Sequence, residues 1–331
     1  MALLPASRSE LEAALTAAVQ RRFGAGARVE NLKQATLGGS NRTLLFDVVE
    51  GASRRRLVSR EETFTGHTSP FLPPKTQYRI LQLVYAAGAP VTEPVFAFDE
   101  QDTLGPGYVT AFAAGETLPR RLLADPTHHA AILRGLAAAL AHLHKLDPAQ
   151  FSFLAELPES GDAIAALRQR LDVLEEPHPA LELGLRWLER NAPPQRRVLL
   201  HGDFRNGNVM IDGARITALL DWECAHLGSE AEDLGWLCTR SWRFGAMDKH
   251  AGGFGTRREL LDAYADAGGR NIEEDEVRWW ERFGLARWGM YNVLQGYGHV
   301  HGRASPAYAA CGRNAALMEY DLLMSISGRY D

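Results

Sequence analysis

The segment VLLHGDFRNGNVMI, residues 198–211, sets a polar loop between two short apolar runs. Val198–Leu200 and Val209–Ile211 read as strands, so the loop hangs from two fixed ends. It carries His201, Asp203, Arg205, Asn206 and Asn208, with Gly202 and Gly207 among them. Each of these alone is an ordinary turn residue. A further apolar run, Ile216–Leu220, follows and ends on Asp221. The order of aspartate, asparagine five residues later and then a strand-end aspartate asks for a chemical reading.

Phosphoryl transfer needs that set. A carboxylate must meet the proton of the attacking hydroxyl, and Mg²⁺ must find oxygen ligands. Cations or backbone N–H groups must surround the nucleotide phosphates. Asp203 is the candidate base, and Asn208 and Asp221 are the candidate metal ligands. The turn Gly38-Gly39-Ser40-Asn41 offers backbone donors to phosphate, because glycine permits close approach. Arg60, on the following strand, offers a fixed positive charge.

The rest of the chain supplies a scaffold of two textures. Ser9–Arg22 has helical spacing in Leu11, Leu15 and Val19. Residues 29–62 read as three antiparallel strands joined at the Gly38–Asn41 and Gly51-Ala52-Ser53 turns. PFLPP at 70–74 starts a helix over Lys75–Ala87 that stops at Gly88. Val95–Phe98 and Gly107–Phe112 read as two more strands. Beyond residue 114 the pattern is helical. Asp125-Pro126 opens an alanine-rich helix running to about Leu146, and helices follow at Ala163–Leu174 and Leu181–Asn191. Ser229 and Glu232 have capping-box spacing for the next helix. The expectation is an α+β chain. Its parts are a small antiparallel β lobe with one internal helix (1–112) and a large, mostly α lobe (113–331).

HGDFRNGN followed by ITALLDWE resembles the aminoglycoside phosphotransferase and choline kinase superfamily, small-molecule kinases with a protein-kinase-like two-lobe fold. The Asp203-to-Asn208 spacing matches the protein-kinase catalytic loop, with Gly202 where that loop has arginine. LGGSNRTLLFDV, LVSRE, TQYRILQLVYAAGAPVTEPV and RWWERFGLARWGMYNVLQGY resemble, more narrowly, the kinase domains attached to acyl-CoA dehydrogenase-like proteins. The similarity spans nearly the whole chain. It implies ATP, or GTP, as donor with Mg²⁺ as cofactor and a small-molecule hydroxyl as acceptor. It implies that Asp203 orients or deprotonates the acceptor, that Asn208 and Asp221 hold Mg²⁺, and that His201 braces the loop. Arg60 takes the place of the phosphate-pairing lysine. Tyr108, Thr110 and Phe112 form the hinge whose backbone meets the adenine.

Two departures bear on activity. Arginine at 60 keeps the charge and adds a planar fork suited to phosphate. Gln77 stands where the helix glutamate that pairs with this cation is expected, and no acid occurs between Glu62 and Glu93. Gln77 can accept a hydrogen bond from Arg60 without the charge attraction. A nucleotide-binding regulator with weak catalysis is therefore a second reading.

Several features read as structural. His142 and His144, two apart, cannot share a helix face as metal ligands. His299 and His301 have no third ligand in view. Trp280, Trp288 and Tyr291 have helical spacing and read as core. Glu230, Glu232 and Asp233 read as helix capping. Arg205 reads equally as a contact to phosphate or anionic substrate and as a solvated loop arginine.

The 331 residues carry a formal charge of −5 and three scattered cysteines, Cys224, Cys238 and Cys311. These point away from a nucleic-acid coat, a polybasic membrane surface or a disulfide scaffold. No 18-residue apolar run is present. The expected setting is soluble and cytoplasmic, with no nucleic-acid or membrane partner. The Trp-rich C-terminal helices suit an apolar or anionic acceptor, such as a hydroxyacyl compound. An aminoglycoside or amino alcohol is the alternative. No APE segment follows Asp221, which disfavours a protein kinase.

Overall fold

The computed structural model describes residues 7–35, 41–62, 71–174, 176–301 and 307–330. Gly38, Gly39 and Ser40, proposed to meet phosphate, lie outside the described residues, and Asn41 is described by its backbone alone. The chain divides into two compact units. The first holds residues up to Gly115 together with Thr217–Cys224, and the second holds Glu116–Ile216 and Ala225 onward. Eight residues after the polar loop, Asp221 among them, thus fold with the first unit.

In the first unit α1 (Arg8–Phe23) opens with a full capping box between Ser7 and Glu10. β1 (Arg28–Gln34), β2 (Asn41–Glu50) and β3 (Ser53–Glu62) follow. Then come α2 (Pro74–Ala86), β4 (Pro94–Ala97) and β5 (Gly107–Ala111). The sheet order is β1-β2-β3-β5-β4, and its ladders are antiparallel. Period-two alternation decides the faces. Leu44, Phe46, Val48 and Leu57 turn toward Leu11, Leu15 and Val19 of α1 to form the core, with Phe96 and Val109. The intervening positions face the other way. Arg60 pairs with Tyr108 across the β3–β5 ladder. Residues directly opposite one another present their side chains on one face. α2 buries Gln77, Ile80, Leu81 and Val84, and Gly88 ends it at φ +80°, a region glycine enters without cost.

In the second unit α3 (Pro119–Leu122) is a single turn. Asp125 caps a 3₁₀ turn, Pro126–His128, rather than the long helix itself, because Pro126 and the tight turn use up the cap. The long helix α4 (His129–His144) then starts without a side-chain cap. α5 (Pro158–Gly161), α6 (Ala163–Asp172) and α7 (Pro179–Arg190) follow. β6 (Val198–Leu200) pairs antiparallel with β9 (His226–Gly228). β7 (Val209–Asp212) lies between them in sequence. After a turn at Gly213, β8 (Arg215–Leu219) carries the chain back into the first unit. α8 (Glu230–Cys238), α9 (Arg257–Asp266), α10 (Glu274–Val300) and α11 (Ala307–Ile326) complete it.

Every residue of α8 is buried. Its Gly235 lies so close to α10 that a Cβ there would sit 2.5 Å from Trp280 Cβ and 2.9 Å from the Trp280 carbonyl carbon. A side chain cannot move backbone atoms aside cheaply, so Gly235→Ala must push the helices apart. The expected loss is about 1–3 kcal/mol, the usual cost of overpacking, read as a lower urea midpoint. An unchanged midpoint would show that α8 and α10 have room to separate.

Ser229 is the N-cap residue of α8, yet it makes no capping box. Its hydroxyl accepts the Arg196 N–H at 2.9 Å. Glu232 lies 3.1 Å from His226 Nε2 and 3.6 Å from Arg287 Nη1. Burial of the whole helix start sets these side chains to tertiary partners. Among the described residues no helix is long and apolar enough to cross a membrane.

Candidate active site

The polar loop of the second unit is held from beneath. Asp233 of α8, fully buried, accepts the backbone N–H of His201 at 2.8 Å and of Gly202 at 2.9 Å. His144 of α4 lies 3.3 Å from the same carboxylate and 2.8 Å from the Tyr264 hydroxyl. Burial alone would raise the Asp233 pKa. The hydrogen bonds it receives from His144 and from the His201 N–H, with the field of those two side chains, outweigh it, so the group sits below the ordinary aspartate range. The capping role read from sequence for Asp233 gives way to this brace. His201, wholly buried, accepts the Asp203 N–H at its Nδ1 (3.2 Å) and packs edge-on against Phe204.

Asn206 ties the loop sideways, its amide donating to Trp242 C=O at 3.1 Å and Gly252 C=O at 2.7 Å. Gly202 and Gly207 stand at φ +76° and +104°, which allows the sharp reversal. A Cβ at Gly207 would meet Arg205 Nη1 at 2.8 Å.

These anchors deliver Asp203 in one orientation. Its Oδ1 accepts from Trp236 Nε1 at 2.8 Å and Arg205 Nε at 3.1 Å. Its Oδ2 accepts from Asn208 Nδ2, which also donates to the Asp203 C=O at 3.0 Å. The Arg205 guanidinium lies over Trp242 at 4.6 Å, and Trp242 and Trp236 both pack on Trp288. Arg205 is thus a fixed cation beside the candidate base rather than a solvated one. Trp280 and Tyr291 are buried, as a core stripe would be.

Within the first unit, Asp221 follows β8 with φ +70°, a conformation few non-glycine residues adopt. Such strain persists where surrounding structure over-determines it. Arg60 ion-pairs with Asp221 through Nη1, and its Nη2 donates to Glu223 at 2.7 Å. Gln77 does not serve Arg60 here. Its amide donates to Leu72 C=O at 2.7 Å and accepts from the Tyr108 hydroxyl at 3.2 Å. Tyr108 and Thr110, expected from the sequence to form the hinge, are buried. The Phe112 N–H is engaged with Arg56 C=O at 3.0 Å and its ring lies under the Arg56 guanidinium.

Sequence reading gave Asp233 only a capping role and missed Trp236, Asn206 and Glu223. Only Asn206 and Glu223 had a signal, as polar residues inside the two motifs already singled out.

The polar loop, the five-stranded antiparallel sheet and the helical second unit together define a kinase-like fold for small molecules. The chain belongs to the phosphotransferase enzyme family, whose model matches residues 31–280. Acyl-CoA dehydrogenase family member 10 from Mus musculus is 28% identical over 176 residues, covering 49% of this chain and 16% of that protein. The chain therefore spans only a small part of that relative's length. Among solved structures, a Ralstonia eutropha JMP134 protein assigned to the aminoglycoside phosphotransferases superposes with TM-score 0.72. It is 22% identical, over 96% of this chain and 98% of that one. The aminoglycoside phosphotransferase APH(4)-Ia, as a thermostable variant with ADP and hygromycin B, gives TM-score 0.63. It is 18% identical, over 94% of this chain and 98% of that one.

Proposed function

We propose that the chain is an ATP- and Mg²⁺-dependent phosphotransferase that moves the γ-phosphate to a hydroxyl of a small molecule. The observation that carries this reading is the orientation of Asp203. Three side-chain donors converge on its carboxylate, and its backbone is pinned through His201, Gly202 and Asp233. A carboxylate held this firmly can present one lone pair to an acceptor hydroxyl without reorganising, which is where positional catalysis gains its rate.

Asn208 and Asp221 fit the chemistry of a hard cation. Asp221 brings a carboxylate, and the Asn208 amide turns its nitrogen to Asp203, so its oxygen is the end that can ligate. When bound, Mg²⁺ offsets the negative charge of the nucleotide phosphates. Arg60 adds a fixed positive charge for the same phosphates. Asp203 takes up the hydroxyl proton as the new O–P bond forms, and the nucleoside diphosphate leaves with the electron pair of the broken bond.

The acceptor class we favour is an uncharged or anionic hydroxyl compound of the hydroxyacyl kind. Arg205, 3.1 Å from Asp203 and stacked on Trp242, opposes a polycation at the base. The stretch shared with a protein named for acyl-CoA supports an acyl-bearing substrate. Transfer from [γ-³²P]ATP to hydroxyacyl-CoAs, aminoglycosides and amino alcohols tests this choice. Labelling of aminoglycosides alone would overturn the acceptor class while leaving the reaction class intact. Nucleotide binding without transfer to any acceptor would favour the regulator instead.

Asp221→Ala should abolish the Mg²⁺-dependent part of ATP binding. Calorimetry with and without Mg²⁺ reads the difference. An equal gain from Mg²⁺ in variant and wild type would remove Asp221 from the ligand set.

A further inference from the structure

The counter-charge for Arg60 is missing from α2, where Gln77 stands, yet Arg60 is not left with its charge unbalanced. Its two terminal nitrogens reach the segment that follows β8. Nη1 pairs with Asp221, and Nη2 donates to Glu223 at 2.7 Å. Its Nε is buried and has no hydrogen-bond partner among the described residues. The fork is therefore oriented through its outer edge alone. The Glu223 side chain is 12% exposed and that of Arg60 20%, so water screens the pair little.

The backbone of Glu223 is itself placed. Its C=O accepts the Leu72 N–H at 2.8 Å, and the Leu72 C=O accepts the Gln77 amide at 2.7 Å. Gln77 thus braces the chain that positions Glu223. An ionised glutamate at 77 would have no proton to give Leu72.

We propose that Glu223 is the positioning residue for Arg60, filling from the segment after β8 the counter-charge role that α2 leaves vacant. The inference rests on the kinase reading above. Asp221 cannot fill this role throughout the reaction, since it is the carboxylate assigned to Mg²⁺. With Asp221 holding Mg²⁺, Glu223 would still hold the fork. One other carboxylate bears on the pair. Glu62, two residues from Arg60 on β3, is raised above its ordinary pKa by burial and then by the Glu223 charge, so it lies within the field of Glu223. It makes no ion pair with Arg60 among the described residues, which leaves Glu223 as the partner beside Asp221.

The consequence is a coupling. The phosphate-pairing cation and a metal ligand are held by one three-residue stretch, Asp221 to Glu223. Toward Arg60, α2 contributes a brace through Gln77 and Leu72 rather than a counter-charge.

The test is the affinity of the full chain for a fluorescent mant-ATP, with Mg²⁺ and again in EDTA. Glu223→Gln is nearly isosteric and keeps one acceptor oxygen. It should raise the dissociation constant roughly tenfold or more, the equivalent of one charge-assisted hydrogen bond. The loss should persist in EDTA, because it runs through Arg60 and not through the metal. In the Arg60→Ala background the same change should add nothing, since partners in one interaction are not additive. Additive losses, a loss confined to Mg²⁺, or an affinity within twofold of wild type would each overturn the inference. Thermal melts report whether Glu223→Gln folds. Should it not, Glu223→Asp decides: it keeps the charge but falls a methylene short of Arg60, so it should weaken nucleotide binding in the wild-type background and add nothing in Arg60→Ala. An affinity within twofold of wild type would overturn the inference. Wild-type protein that binds no nucleotide would instead sink the kinase reading itself.

Discussion

Replacing Asp203 by alanine should lower phosphoryl transfer by roughly 10²- to 10⁴-fold, the range for a general acid–base group, while ATP still binds. The carboxylate is the only part of the side chain that can meet an acceptor proton. Its three donors are Trp236, Arg205 and Asn208. Alanine strips Trp236 and the Arg205 Nε of their acceptor and leaves Asn208 only the backbone C=O of residue 203, so some loss of stability must accompany the loss of rate. Asp203→Asn separates the two effects. It keeps one oxygen for Trp236 and Arg205 but offers no base. Equal rate loss in both variants, with near-wild-type melting in the asparagine one, assigns the effect to chemistry. Turnover close to wild type in either variant would remove Asp203 from the base role.

The second large effect should come from a residue that touches no substrate. Asp233→Asn leaves one acceptor oxygen for two buried N–H donors, those of His201 and Gly202, and points an amide N–H₂ at the other. His144 loses its anionic partner in the same step. Breaking a buried, paired charge of this kind costs roughly 3–5 kcal/mol, which a urea titration reads directly. Because the loop backbone is what moves, transfer should fall with stability even well below the melting temperature. A variant with wild-type stability and activity would show that β6 and Asn206 alone hold the loop.

The pH dependence has a definite sign. The folded pKa of Asp233 lies below its ordinary value, so the ionised group contributes stability above about pH 4, the unfolded aspartate range. That contribution is lost as the pH falls through the lower, folded value. The gap in stability between wild type and Asp233→Asn should narrow on acidification below that range.

How much of this was legible beforehand can be followed residue by residue. The alternation Leu44, Phe46, Val48 gave the core face of β2, because a strand has period two whatever it packs against. Pro74 and Gly88 bounded α2 through backbone restrictions that belong to those residues alone. The family followed from HGDFRNGN and its downstream DWE, where spacing along the chain is itself the signal. The Ser229–Glu232 capping box did not form. Local spacing could not foresee that the whole of α8 is buried and that its acids are claimed by His226, Arg287 and the loop backbone.

By itself the sequence determined the elements, the α+β class and the order of candidate groups, Asp203, Asn208 and Asp221, since each depends on neighbours within a few residues. The partners were decided only by tertiary structure. Gln77 turned to Leu72 and Tyr108, Arg60 to Glu223 more than 160 positions away, and Asp203 to Trp236. The physical reason is that a buried charge or amide must be paired by whatever the packing brings near, and packing joins segments whose separation in sequence carries no trace of their contact.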